Sequence, residues 1–151
     1  MLFSRLPFLR CIAATALLWL AGSAFAQTAQ CIDAAEASHQ TLLGHWNAQF
    51  TPAPDAPPTT PTTARLELIP HPELAASVRG RVQRAGSEAL LAGDVDQGDF
   101  TLEESINGTN ISATWIGQVV ADSCGKEIRG TWTQENPPLA LSFVLRKQPA
   151  E

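Results

Sequence analysis

Residues 106–132 read INGTNISATWIGQVVADSCGKEIRGTW, and the way their apolar side chains alternate decides the fold. Asn107-Gly108 is a dipeptide that tolerates positive φ at both centres of a type I′ turn, which predicts a hairpin folding Leu102–Ile106 back on Asn110–Val119. Ile111, Ala113, Trp115, Gly117 and Val119 then share one face, with Ser112, Thr114 and Gln118 on the other. Ile128, Gly130 and Trp132 repeat the pattern against Glu127, Arg129, Thr131 and Thr133. A period of two cannot serve a helix, so both runs are strands with a buried face.

Working outward, the same alternation recurs along the chain. Trp46, Ala48 and Phe50 mark a first strand over Leu43–Thr51. Leu66 and Leu68 mark a second, ended by Pro70-His71-Pro72, and Val78, Gly80 and Val82 a third, with Arg79, Arg81 and Arg84 expected to project outward. Glu88–Val95 is a fourth run of ambiguous register, because Leu90 and Leu91 are adjacent. A turn at Gly98 leads to a fifth carrying Phe100 and Leu102; the two runs first described are the sixth and seventh, and Leu141, Phe143 and Leu145 define an eighth. Eight short strands without intervening helices make an all-β antiparallel up-and-down meander. Closing it into a small barrel removes two bare edges and is preferred over an open sandwich. A short helix is expected within Gln27–Leu43, where Ile32, Ala35, Leu42 and Leu43 recur at near-helical intervals and Gly44 can end it.

Residues 1–26 combine Arg5 and Arg10, the apolar run Cys11–Gly22 and the cleavage-type tripeptide Ala24-Phe25-Ala26. This is the pattern of a secretory signal peptide, and the run is shorter than the roughly 20 residues of a membrane span. Gln30 before Cys31 does not resemble a lipobox. Removal at Ala26 leaves 125 residues, 27–151, enough for a single domain. Within that domain, residues 52–63 are a Pro/Thr-rich loop. Residues 27–151 hold 8 basic and 15 acidic side chains, a net charge of −7 that argues against nucleic acid or an anionic membrane as partner. Cys31 and Cys124 are the two cysteines left, and an oxidising compartment, periplasmic or extracellular, predicts a disulfide between them.

Gly44-His45-Trp46 opening the first strand after a short N-terminal segment, the eight strands and Arg146 in the last of them resemble the calycins, the superfamily of lipocalins, avidins and fatty-acid-binding proteins. The resemblance implies a barrel with one end closed by Trp46, on which Arg146 would pack, and a binding role. The chain has no tyrosine. It therefore lacks the T-D-Y motif of typical lipocalins and the tyrosine of the avidin biotin site.

The candidate ligand-binding residues are the inward aromatics Trp46, Phe50, Phe100, Trp115, Trp132 and Phe143, which alternate with Ala48, Gly80, Ala113, Gly117 and Gly130. Two arrangements suit that mixture: an aromatic-lined cavity for a small apolar ligand, or rings lying over the glycines of neighbouring strands and filling the interior. Other motifs carry less. The acidic run containing Asp94, Asp96, Asp99, Glu103 and Glu104 does not follow an EF-hand order and reads as solvated turn carboxylates. His39, His45 and His71 are scattered, and no G-x-S-x-G or H-E-x-x-H occurs. No catalytic, metal or cofactor site is expected. Arg79, Arg81 and Arg84 form either a solubilising outer face or a recognition patch. The expected function is an exported binding protein for a small apolar or aromatic ligand; the alternative is a protein-interaction barrel such as a hydrolase inhibitor, using the proline-rich loop.

Overall fold

The computed structural model describes residues 31–150; the signal-peptide assignment lies outside them. Eight strands, β1 (Gly44–Thr51), β2 (Thr63–Pro70), β3 (Val78–Arg84), β4 (Ser87–Asp96), β5 (Asp99–Ser105), β6 (Ala113–Val119), β7 (Glu127–Gln134) and β8 (Leu139–Lys147), form one closed antiparallel barrel. Each pairs with its successor, and β8 returns to β1, setting Phe50 opposite Phe143 and Trp46 opposite Lys147. The predicted architecture is therefore present, including closure.

Alternation fixes which side chains fill the interior. Across β5–β8 one row reads Phe100, Gly117, Gly130, Phe143, and the next reads Leu102, Trp115, Trp132, Leu141. The two central glycines let strands approach so closely that a Cβ on Gly130 would lie 2.0 Å from the Ile116 carbonyl oxygen, and one on Gly117 2.4 Å from that of Arg129. Over this bare backbone the flanking Phe100 and Phe143 rings meet edge-on, 6.4 Å between centroids. In β4 the register resolves with Ala89, Leu91 and Val95 buried and Leu90 outside.

Two local expectations are corrected, and a third is met in reduced form. Among its described residues the segment before β1 forms a 3₁₀ turn, Ala34–Glu36, and a single helical turn, His39–Leu42, shorter than a helix spanning Gln27–Leu43. Ala37 and Ser38 between them are extended (ψ 131° and 174°), because the segment follows the barrel end rather than a helical stripe. Asn107-Gly108 does not make a two-residue turn: residues 106–112 form a wider loop, in which the Asn107 Oδ1 accepts from the amides of Thr109 and Asn110 at 2.9 Å and only Gly108 has positive φ. Ile111 consequently falls in that loop, exposed, rather than on the inner face. The tight turns with positive φ at both centres are Ala85-Gly86 (33°, 85°) and Gln97-Gly98 (49°, 91°), joining β3–β4 and β4–β5.

The Cys31–Cys124 disulfide is present and ties the N-terminal segment to the β6–β7 connection. Ile32 and Thr41 crowd Gly125 beside it, and the Ala34 carbonyl sits over Gly98, so the segment closes one end of the barrel. Cys31 and Cys124 lie 93 positions apart, and cross-linking a loop of that length removes about 4–5 kcal/mol of denatured-state freedom as an upper figure. Replacing both cysteines by serine is expected to lower the unfolding free energy measured in urea by no more than that amount while leaving the far-ultraviolet circular dichroism barrel-like. Loss of the β signal would show instead that the barrel requires the cross-link to form. Gly130→Ala is expected to destabilise by about 1–3 kcal/mol through the clash with Ile116.

Candidate functional site

All six aromatic residues singled out from the sequence point into the barrel and are buried, none more than 4% exposed. Five of them interlock. Phe50 lies 5.4 Å from Trp115 and 5.6 Å from Trp132, Trp115 lies 6.3 Å from Trp132 and 5.1 Å from Phe143, and Phe143 meets Phe100. Trp46 stands apart, under the N-terminal segment, where its Nε1 donates to the Leu42 carbonyl at 2.7 Å. These spacings are those of rings in direct contact. The rings thus occupy the space that they line.

The Trp46 end carries a correction. Lys147, not Arg146, sits over the indole, with Nζ 5.6 Å from the ring centroid and donating to the Thr41 carbonyl at 2.6 Å. Register is the reason: Lys147 is paired with Trp46 and shares its inward phase, whereas Arg146 is paired with outward Asn47 and binds Glu127 at 3.2 Å. Burial, with Lys126 as a second cation, holds the Lys147 ammonium below the ordinary lysine range. The Arg129 and Arg146 guanidiniums hold half-buried Glu127 below the ordinary carboxylate range, Arg129 contributing more.

At the opposite end lies the feature that the sequence did not disclose. Glu104 is the one buried charged residue among those described, 1% exposed, although it belongs to the run read as solvated carboxylates. Arg84, read as outward, continues the inward phase of Val78, Gly80 and Val82 and reaches it. Both guanidinium nitrogens donate to the carboxylate, Nη1 to Oε2 at 2.8 Å and Nη2 to Oε1. Trp115 and Trp132 add their Nε1 donors to Oε2 at 3.1 and 3.2 Å. The Arg84 guanidinium lies 4.9 Å above the Trp132 ring. A buried carboxylate is tolerated because it is paired and hydrogen-bonded on both oxygens, and no buried side-chain polar atom among the described residues lacks a partner. Period two could have found both residues: Glu104 is in phase with Phe100 and Leu102.

Chemically, this arrangement closes the barrel. The carboxylate oxygens are occupied, and Arg84, with a side chain only 10% accessible, is spent on holding them. Above it, the connections 52–62, 85–86, 106–112 and 135–138 gather at the same end of the barrel. Several hollows of about 420–510 Å³ open on the surface, and none is lined by Phe50, Phe100, Trp115, Trp132 or Phe143. Trp46 borders one, with His45, Leu66 and Gln148. His71 serves its own turn, its Nδ1 accepting from the amides of Glu73 and Leu74. Among the described residues, no three His, Cys, Asp or Glu side chains cluster as metal ligands would. No protein-family model matches this chain, and no curated protein matches it in sequence.

Breaking the buried pair from one side leaves the partner charged and unpaired. Glu104→Ala is therefore expected to cost about 3–5 kcal/mol in urea unfolding. The apolar double substitution Arg84→Met with Glu104→Leu is expected to cost far less, and a double variant as unstable as the single one would show that the carboxylate's indole bonds dominate over its pairing with arginine.

Proposed function

We propose that the protein is an exported, calycin-like barrel that binds a protein partner through its outer surface and loops, and that it does not catalyse a reaction. The observation that carries this reading is the interlocked interior: aromatic rings stand where a small apolar ligand would have to enter, and the Arg84–Glu104 pair occupies one mouth. Of the two binding modes that the sequence leaves open, this favours the protein-interaction barrel, for instance an inhibitor of a secreted hydrolase. Buried Glu104, engaged by four donors, is poorly placed to act as an acid or base.

Export is supported by the Arg5, Arg10, Cys11–Gly22 and Ala24-Phe25-Ala26 pattern and by a disulfide of the kind that oxidising compartments maintain. Among the described residues no helix is long and apolar enough to cross a membrane. The loop end is the natural contact surface, since it presents a proline-rich connection whose stiffness lowers the entropy lost on binding, and exposed Ile106 and Ile111.

Two measurements test the proposal. Titration with an environment-sensitive apolar dye is expected to leave tryptophan fluorescence without a saturable change; saturable quenching would restore the small-ligand alternative. Mature protein immobilised on resin is expected to retain a partner from envelope extract, and deletion of residues 54–60 is expected to reduce retention at least about ten-fold. Retention of nothing would count against protein binding.

A further inference from the structure

We infer that the outer wall of β2–β4 is a docking groove for an acidic segment of a protein partner, a conclusion that deepens the protein-binding proposal and rests on it. The groove, about 450 Å³, is lined by Glu67, Ile69, Arg79, Arg81 and Leu90. Strand register sets them side by side, Ile69 opposite Arg79 and Arg81 opposite Leu90. Two large apolar side chains thus stand in solvent, Ile69 41% and Leu90 47% exposed, beside two guanidiniums.

Charge says what covers them. In a chain that is acidic overall, the β2–β3 pair carries Arg65, Arg79 and Arg81 on its outward phase. Arg81 has two carboxylates as neighbours, Glu88 and, directly opposite it in register, Glu67, which forms no ion pair with it. Arg81 makes a 3.3 Å contact with Glu88 at a well-exposed position, and Arg65 and Arg79 enter none of the ion pairs among the described residues. Glu67 is the carboxylate within the groove itself. Exposed pairs such as Arg81–Glu88 are weak and exchange readily, so Arg81 is free to turn to an incoming carboxylate. Arginine is enriched in interface hot spots, where its guanidinium plane binds carboxylates and surrounding contacts exclude water. The occupant that fits is a segment placing carboxylates at Arg79 and Arg81 and an aliphatic side chain between Ile69 and Leu90. The closed sheet offers no strand edge, so these side chains must supply the contact.

The test is an amide chemical-shift titration of the mature, isotope-labelled protein with a capped peptide of glutamates interrupted by leucines. Saturable shifts are expected at residues 67–69, 79–81 and 90–92, weakening as salt is raised. Arg79→Glu with Arg81→Glu is expected to weaken binding by about ten-fold or more, and the neutral pair Arg79→Gln with Arg81→Gln to weaken it less, a check independent of any effect of charge reversal on folding. The inference fails if the glutamine version of the peptide binds equally well, if the shifted amides lie elsewhere, or if anionic vesicles shift these amides and the peptide does not. A partner whose capture depends on residues 54–60 but is indifferent to Arg79 and Arg81 would sink this groove and leave the protein-binding proposal standing.

Discussion

Closure of the sheet by pairing of β8 with β1 is the constraint from which the rest follows. A closed sheet has a fixed interior, and every inward position must contribute volume that fits it. Large and small residues therefore share rows: Phe100 and Phe143 lean over Gly117 and Gly130, while the next row places Trp115 and Trp132 side by side. Substituting either glycine alone would force the strands apart at the place where the rings meet. The glycines and the aromatics are two halves of one packing solution.

The two ends meet the same need with different chemistry. At the Trp46 end a piece of chain, held by the disulfide, covers the opening and supplies carbonyl acceptors to the indole and to Lys147. At the other end an ion pair fills the mouth, beneath the connections that gather there. Arginine suits that position because its planar fork can bind both carboxylate oxygens and lie over an indole at the same time. Trp115 and Trp132 join the two levels, since their rings belong to the aromatic interior and their N–H groups to the ion pair.

Much of this was legible in the sequence. The inward phase of Trp46, Phe50, Phe100, Trp115, Trp132 and Phe143 follows from alternation alone, closure from the avoidance of edges, and the disulfide from having two cysteines outside the leader pattern. What escaped was carried by residues whose type argues against their place. Glu104 sits among carboxylates that do face solvent, and Arg84 follows two arginines that do project outward, so composition outweighed phase at both. Their pairing, 20 positions apart, depends on β3, β4 and β5 coming round the barrel together. The N-terminal segment misled differently: Ile32, Ala37 and Leu42 are placed by what lies beneath them, and a covering strap need keep no period. Arg146 was displaced from Trp46 by one residue of register, which in a strand is the difference between inside and outside.

A filled, closed barrel restricts how it can bind anything. Opening room inside would mean moving rings whose removal from a core costs about 3–5 kcal/mol each, and a small ligand would have to regain that before showing any affinity. Strand addition, the commonest way for a sheet to take up a peptide, needs a free edge, and pairing of β1 with both β2 and β8 leaves none. Recognition of a protein partner, as proposed, would then fall to outward side chains and to connections. The acidic remainder of the surface repels acidic partners, so a cationic and aliphatic strip such as that of Arg79, Arg81, Ile69 and Leu90 also gives direction: it would orient an acidic segment before contact, and the aliphatic pair would hold it afterwards.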